Sequence, residues 1–255
     1  MTDDRFVIWL DELGAGDAGL VGGKNASLGE MIRSLRPAGI RVPDGFATTA
    51  RAYWELLAAN DLRDEIAARL AFYRNDEAKL AEVGAAIRAM IGQAEVPGGV
   101  AGAVRQAYRD LGRKLGRDNP AVAVRSSATA EDLPEASFAG QQETFLNVRG
   151  EEELLAAWRR CCASLFTDRA ISYRESHHYD HLKVALSIGI QAMVRSDLGG
   201  AGVMFTLDTE TGFPHAVLIN AGRGLGETVV QGMVDPDEYM LFKPLLAAEG
   251  QFRPI

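Results

Sequence analysis

The chain has 255 residues, a formal net charge of −8 at neutral pH, 47% hydrophobic residues and 24% charged residues. This composition is typical of globular proteins. Its acidity excludes general binding to nucleic acid or anionic membranes, but not a local basic pocket for one nucleotide. No apolar run reaches the roughly 20 residues that a bilayer-spanning helix needs, and Met1-Thr-Asp-Asp-Arg5 does not begin a signal peptide. The two adjacent cysteines, Cys161 and Cys162, form neither a disulfide framework nor a CxxC pair, which predicts a cytoplasmic enzyme or part of one.

The first half of the chain is predicted to be helical. Residues 50–115 are predicted to be helical, with a break at Pro97-Gly98-Gly99. Apolar residues three or four positions apart form one stripe before the break and another after it: Leu80, Val83, Ile87, Met90 and Ile91, then Val100, Val104, Tyr108 and Leu111. This spacing gives amphipathic helices with one apolar face each. Asp118-Asn119-Pro120 is predicted to end the helical pattern.

The second half alternates strands with two helices. Thr167 and Asp168 are predicted to cap the second of these helices, which ends near residue 176. The predicted strands are Ala121–Arg125, Glu143–Val148, Val184–Val194, Gly202–Leu207 and Ala216–Asn220, and the helix before the cap covers 151–166.

This order predicts an α+β fold with a helix-rich subregion, 1–120, and a strand-rich subregion, 121–255. The last residues, Phe252-Arg-Pro-Ile255, form neither a capping helix nor a polar tail. We therefore expect the sequence to be cut there from a longer chain.

The segment Gly19–Leu28 places two glycines directly before Lys24. Glycines let the backbone approach a ligand, and exposed N–H groups with one ammonium suit a phosphate at a helix start. The segment is not a Walker A loop, because Ala18 and Asn25 stand where that pattern needs Gly and Ser or Thr. The alternative is a glycine turn before a surface helix, with Lys24 solvated.

A second segment, Val124–Asp132, brings Arg125 to the end of an apolar strand, followed by three hydroxyl residues within four positions. The planar, always charged guanidinium of arginine matches phosphate oxygens, and hydroxyls add neutral donors. The alternative is a polar turn in which Arg125 pairs with Glu131 or Asp132.

Two further segments are candidates for the same ligand. Ser137–Leu146, with Gly140 and Thr144, has the small residues of a flap over phosphates, or else is a hairpin loop. Ile190–Val194, with Gln191, could line a flat slot for a base, or else is core packing. Together the segments supply the cations, hydroxyls and glycine-rich loops that hold a nucleoside triphosphate.

Three other patterns carry less weight. Gly222–Glu227 has the spacing GxGxG and not the GxGxxG of a dinucleotide site. The histidines His177, His178 and His181 lack an accompanying Cys or Glu motif for a metal. Asp235–Glu238 is predicted to be an acidic turn in preference to a Mg²⁺ site.

Five long motifs, in order, resemble the N-terminal half of the phosphoenolpyruvate synthase family, and the resemblance covers essentially the whole chain. Pyruvate phosphate dikinase and rifamycin phosphotransferase share the same ATP-binding module and are the close alternatives. The motifs are Val21-Gly-Gly-Lys-Asn-Ala-Ser-Leu-Gly-Glu-Met31, Val42-Pro-Asp-Gly-Phe-Ala-Thr-Thr49, Val124-Arg-Ser-Ser-Ala-Thr-Ala-Glu-Asp132, Ser137-Phe-Ala-Gly-Gln-Gln-Glu-Thr144 and Gly224-Leu-Gly-Glu-Thr228.

The resemblance implies an ATP-grasp fold with ATP between two α+β subdomains. It also implies site roles. Lys24 would hold the phosphates, and Arg125 would bind the terminal phosphates and stabilise charge during transfer. Gly140 and Thr144 would belong to the loop over the phosphates, and Gln191 would lie in the adenine slot.

The family's reaction converts ATP, pyruvate and water to AMP, phosphoenolpyruvate and phosphate, through a phosphohistidine on a separate domain. None of the four histidines of this chain, His177, His178, His181 and His215, has the family's Thr-x-His context. The phosphohistidine domain and the pyruvate-binding barrel are absent from the sequence, and the Mg²⁺ ligands are expected mainly beyond residue 255. The resemblance thus predicts a chain that binds ATP without completing the reaction, and a homodimer for the complete enzyme. The alternative is a standalone nucleotide-binding module.

Overall fold

A computed structural model describes residues 4–73, 77–129 and 143–246 of the chain. The helices, in chain order, are α1 Ala18–Leu35, α2 Ala50–Ala59, α3 Leu62–Tyr73, α4 Glu77–Gln93, α5 Gly98–Leu115, α6 Glu151–Ala163, α7 Asp168–Ser176, α8 Gly226–Val230 and α9 Lys243–Leu246. The strands are β1 Val7–Trp9, β2 Gly45–Thr48, β3 Val122–Ala128, β4 Thr144–Val148, β5 Leu186–Ala192, β6 Gly200–Phe205, β7 Ala216–Arg223 and β8 Asp237–Phe242. The predicted α+β class is therefore confirmed.

Most of the predicted elements are confirmed as well. Helices α2 to α5 lie within residues 50–115, and the Thr167 hydroxyl accepts a hydrogen bond from the Ala170 N–H at 3.3 Å, capping α7 as expected. Strand β3 differs, because it runs on to Ala128 and does not stop at Arg125. Its pairing with β5 continues through every residue to Ala128, so that the polar run after Arg125 is strand and not loop.

The chain divides into two compact units, with the boundary between Met193 and Val194. In the first unit the strands form one antiparallel sheet in the order β1-β2-β5-β3-β4. Strands β1 and β2 of this sheet lie in the predicted helix-rich subregion, 1–120, and strands β3 to β5 lie in the strand-rich one, 121–255.

The sheet of the first unit has a different helix layer on each face. Helix α1 contacts β3 and β5 on one face. On the other face, α6 contacts the same two strands and also packs against neighbouring helices. The large core beside α6 contains Trp158, Phe166 and Tyr53, all buried. A smaller core joins α1 to β1 and β2 through Ile8, Val21 and Ala47. The sheet is thus held rigidly between two apolar layers.

The second unit contains the antiparallel sheet β6-β7-β8, with α8 against β6 and β7, and α9 after β8. Among residues 194–246 only Ala216 and Leu218 are buried. The Gly222–Glu227 segment lies where β7 gives way to α8. None of the described helices is both long enough and apolar enough to cross a bilayer.

Candidate functional site

A cavity of about 350 Å³ lies in the first unit, within the size range of small-molecule sites. Three of the predicted site residues, Lys24, Arg125 and Gln191, line it together. Among the described residues, the lining consists of Leu10, Gly23, Lys24, Asn25, Ser27, Leu28, Met31, Arg125, Ser126, Gly189 and Gln191. These residues come from distant parts of the sequence, which the packing of α1 on the sheet brings into one place.

Strand register explains how Arg125 and Gln191 reach the same cavity. Arg125 of β3 is paired directly with Gly189 of β5, and Gln191 follows two residues later on the same face. Gly189 leaves this face open, since a Cβ there would lie 2.3 Å from the Asn25 Oδ1 atom. Thr144, the first residue of β4, is paired with Arg125 on its other side.

Of the two residues predicted for a phosphate-covering flap, Thr144 therefore starts an edge strand beside Arg125. It is exposed and does not belong to the cavity lining. Gly140, the other flap residue, lies outside the described residues.

The glycine turn before Lys24 lets α1 approach the sheet closely. Gly22 has φ 74° and ψ 159°, a backbone conformation outside the helix, and a Cβ there would lie 2.2 Å from the Ser127 Oγ atom. The regular helix therefore begins after Gly22, and its first turn, Gly23 to Asn25, lines the cavity. The first N–H groups of a helix lack acceptors within the helix and carry the positive end of its dipole, which favours an anion.

Asn25 fixes this turn against the sheet. Its side-chain Nδ2 atom donates to the Val21 carbonyl at 3.0 Å and to the Ser187 Oγ atom of β5 at 2.9 Å. Asn25 is buried. The start of α1 is thus tied to the strand that carries Gly189 and Gln191.

The described lining of the cavity carries positive charge within an acidic chain. Among its described lining residues, the charged side chains are those of Lys24 and Arg125. Arg125 forms no ion pair with any carboxylate of the described ranges; Glu131 and Asp132, its alternative partners, lie outside them. Arg125 is exposed to solvent in part, but the surrounding protein removes water from its guanidinium. This desolvation lowers the pKa of Arg125. An arginine stays protonated in proteins, so the cavity holds a cation whose charge is not compensated within the described part of the chain.

The hydroxyl residues after Arg125 do not behave as the sequence predicts. Ser126 and Ser127 are buried within β3, and only Ser126 belongs to the cavity lining. The Ser126 hydroxyl donates to the Glu143 carbonyl at 3.5 Å, and the Thr129 hydroxyl donates to the Ala185 carbonyl at 3.3 Å. These hydroxyls serve the backbone of neighbouring segments because the strand continues past Arg125.

The flat apolar slot was predicted on Ile190–Val194, whereas the apolar wall of this cavity comes from other residues. Leu28 and Met31 line the cavity on α1, and Leu10 joins them from the turn after β1. Leu28 and Met31 stand four and seven residues after Lys24, the spacing that places side chains on one face of a helix. That spacing is the sequence signal by which they could have been found.

The described residues offer no grouping of three or more His, Cys, Asp or Glu side chains that could hold a metal. His181 instead contacts Arg174, which donates from its Nε atom to the His181 Nδ1 atom at 2.8 Å. The His181 Nε2 atom lies 2.7 Å from the Glu175 Oε1 atom. Burial lowers the pKa of His181 despite the neighbouring carboxylate.

Comparison with known proteins adds a family to this geometry. The family model described as "Pyruvate phosphate dikinase, AMP/ATP-binding domain" matches residues 18–251. The chain is 57% identical over 245 residues to the phosphoenolpyruvate synthase of Pseudomonas aeruginosa, which covers 96% of this chain and 31% of that protein. It is 54% identical over 242 residues to the phosphoenolpyruvate synthase of Aquifex aeolicus, covering 94% of this chain and 28% of that protein. It is 52% identical over 244 residues to the phosphoenolpyruvate synthase of Escherichia coli K12, covering 95% of this chain and 31% of that protein. The chain therefore spans less than a third of the length of these three relatives.

Proposed function

The chain belongs to the family of the pyruvate phosphate dikinase AMP/ATP-binding domain, and from this premise we propose that it binds ATP in the cavity beside α1. The observation that carries the proposal is the meeting of Lys24 and Arg125 in one cavity of about 350 Å³. A cavity with two cations and the first turn of a helix suits a polyphosphate, and its apolar wall suits the less polar part of a nucleotide.

We assign the phosphates to Lys24 and Arg125. Phosphoryl transfer depends mainly on positioning and on neutralising charge. A guanidinium can bind two phosphate oxygens at once, and an ammonium adds a compact charge. Arg125 would neutralise the terminal phosphates as their charge shifts during transfer, with Gly140 and Thr144 in the segment that covers them. The exposed position of Thr144 beside Arg125 supports this.

We further propose that the chain is the nucleotide-binding part of a phosphoenolpyruvate synthase with an ATP-grasp fold. Two units, each with an antiparallel sheet and helices, support that fold. The complete enzyme would convert ATP, pyruvate and water to AMP, phosphoenolpyruvate and phosphate through a phosphohistidine on another domain. The free, buried thiols of Cys161 and Cys162 support a cytoplasmic location.

Mg²⁺ would screen the phosphate charge in such an enzyme. The described lining of the cavity contains no carboxylate, so these residues do not form a Mg²⁺ site.

Titration calorimetry of the chain with ATP tests the proposal. Since a hydrogen bond to a charged group contributes about 1.5–3 kcal/mol, Lys24→Ala and Arg125→Ala should each weaken ATP binding roughly 10- to 100-fold. Lys183→Ala and Arg113→Ala are matched controls, because both side chains are largely exposed and lie outside the cavity. Unchanged ATP affinity in folded Lys24→Ala and Arg125→Ala variants would overturn the assignment.

The reaction itself is tested in the complete enzyme. Pyruvate-dependent release of AMP is expected, with its loss in the Arg125→Ala variant. Release of AMP with rifamycin and not with pyruvate would instead identify the antibiotic phosphotransferase.

A further inference from the structure

The Arg125 guanidinium has a single hydrogen-bond partner among the residues that the structure describes. Its Nη1 atom donates to the Gln191 Oε1 atom at 3.4 Å. Gly189, which is paired directly with Arg125 on β5, offers no side chain. Gln191 is therefore the nearest residue along that strand face that can hold the guanidinium.

The direction of the Gln191 amide is fixed by its second partner. Its Nε2 atom donates to the Pro43 carbonyl at 3.0 Å. A carbonyl only accepts and a guanidinium only donates, so the amide nitrogen must face Pro43 and the amide oxygen must face Arg125. Gln191 is buried, with 6% of its surface exposed, and water competes little for these hydrogen bonds.

The residue after Pro43 is Asp44, and its contacts fix the position of this segment. The Asp44 side chain accepts from the Arg36 Nη2 atom at 2.9 Å and lies 3.1 Å from the Lys114 Nζ atom. The Asp44 carbonyl accepts from the Ala192 N–H at 2.9 Å, next to Gln191 on β5. A connected set of contacts thus leads from the segment before β2, through Gln191, to the guanidinium of Arg125.

Resting on the nucleotide site proposed above, we propose that Gln191 is a positioning residue, which holds the Arg125 guanidinium in the cavity where the phosphates bind. Both polar ends of its amide are used within the protein, by Pro43 and by Arg125. In this role the Gln191 side chain contributes to nucleotide binding through Arg125, in place of a direct contact with the base.

A double-mutant cycle separates the two roles. Gln191→Met keeps the length of the side chain and removes both hydrogen bonds. It is expected to weaken ATP binding about tenfold, the size of one hydrogen bond to a charged group. In the Arg125→Ala background the same change should have no further effect, because the group that Gln191 positions is gone. An undiminished loss in that background would overturn the proposal.

AMP and ATP give a second, independent readout. A positioning residue for a phosphate-binding arginine affects ATP more than AMP, whereas a residue that contacts the base affects both equally. Equal losses for AMP and ATP in Gln191→Met would therefore contradict the proposal. Gln106→Met is the matched control, since Gln106 is exposed on α5 and lies outside the cavity.

A crystal structure of the Gln191→Met chain without nucleotide tests the positioning apart from ATP binding. Displacement of the Arg125 guanidinium from its wild-type position is expected, and an unmoved guanidinium would overturn the proposal. Failure of the wild-type chain to bind ATP would overturn the proposed function alone, and the crystal structure would still decide the role of Gln191.

Discussion

The first unit buries its large apolar side chains on both faces of a five-stranded sheet, whereas the second unit leaves most of its own exposed. Trp158 and Phe46 of the first unit are fully buried. In the three-stranded sheet of the second unit, Met204 and Met240 are each more than half exposed. The same kinds of side chain therefore contribute very differently to stability in the two units, because the hydrophobic effect scales with the apolar area removed from water.

The difference also explains why the cavity lies where it does. Its polar side chains are on β3, β5 and α1, which are packed between the two cores of the first unit. Side chains hold a defined geometry when their backbone belongs to a well-packed region with a high cost of local opening. A sheet with two buried residues gives its side chains much weaker support.

Trp158→Ala should produce the largest loss of stability in the first unit. The indole is fully buried on α6, and its Nε1 atom donates to the Thr48 Oγ1 atom of β2 at 3.0 Å. Truncation of such a side chain costs about 3–5 kcal/mol, and here it also removes a buried hydrogen bond. Urea denaturation measures the change in unfolding free energy. Leu198→Ala in the second unit, at a residue 78% exposed, is the control and should change it by less than about 0.5 kcal/mol. Similar losses in the two variants would refute the comparison.

Gly22→Ala should have the next largest effect. Its positive φ disfavours any other residue, and the added Cβ would meet the backbone and hydroxyl of Ser127 at 2.2 to 2.7 Å. We expect a loss of about 1–3 kcal/mol in unfolding free energy, together with weaker ATP binding. Gly102→Ala is a control of opposite sign, because nothing lies within 4 Å of the added atom on α5 and alanine should stabilise that helix by about 0.5–1 kcal/mol. An unchanged unfolding free energy in Gly22→Ala would show that α1 can move away from the sheet without loss of stability.

The sequence was sufficient to predict the elements with long, regular periodicity. Helices α4, α5 and α6 were predicted because each presents an apolar face over several turns, and α7 because Thr167 is a good capping residue. Helices α2 and α3 belong to the same region, 50–115, that was predicted to be helical as a whole. Strands β1 and β2 were not predicted, since three or four residues are too few to show a period. Strand β8 was missed because Asp235–Glu238 was predicted to be a turn, whereas the strand begins at Asp237. Strand β3 was predicted too short, since its hydroxyl residues look like a turn until the partner strand is known.

The site was predicted in its charged residues and not in its geometry. The motifs around Lys24 and Arg125 indicated a phosphate ligand and the segment around Gln191 a base, and the structure brings all three residues to one cavity. The pairing of Arg125 with Gly189 could not be predicted, because it depends on the register between strands about 60 residues apart in sequence. The resemblance implied that Gln191 lies in the adenine slot. The direction of its amide, toward Pro43 and Arg125, follows only from the three-dimensional structure.

A smaller effect on the first unit is expected from pH. Burial lowers the pKa of His181 below its unfolded value of 6.5, even though Glu175 and Asp180 act in the opposite direction and Arg174 acts in the same one. The unfolded chain therefore binds a proton that the folded chain resists. The unfolding free energy should be highest above pH 6.5 and should fall as the pH drops below that value.

Urea denaturation between pH 5 and 8 measures this dependence. In His181→Asn the side chain does not titrate but can still accept from Arg174, so the part of the pH dependence due to His181 should disappear. An identical pH dependence in wild type and variant would assign it to other groups.

Met204→Ser should produce the smallest effect of the series. Met204 is 63% exposed on β6 and is paired across the sheet with Ile219 of β7, so that substitution by a small polar residue removes little buried apolar area. We expect a change of less than about 0.5 kcal/mol in unfolding free energy. Leu218→Ala, on the neighbouring β7 position, removes one of the two buried side chains among residues 194–246 and should accelerate hydrogen exchange of the β6 to β8 amides. If Met204→Ser accelerated exchange as much as Leu218→Ala, the exposed side chains of the second unit would contribute to its stability as fully as buried ones do in the first.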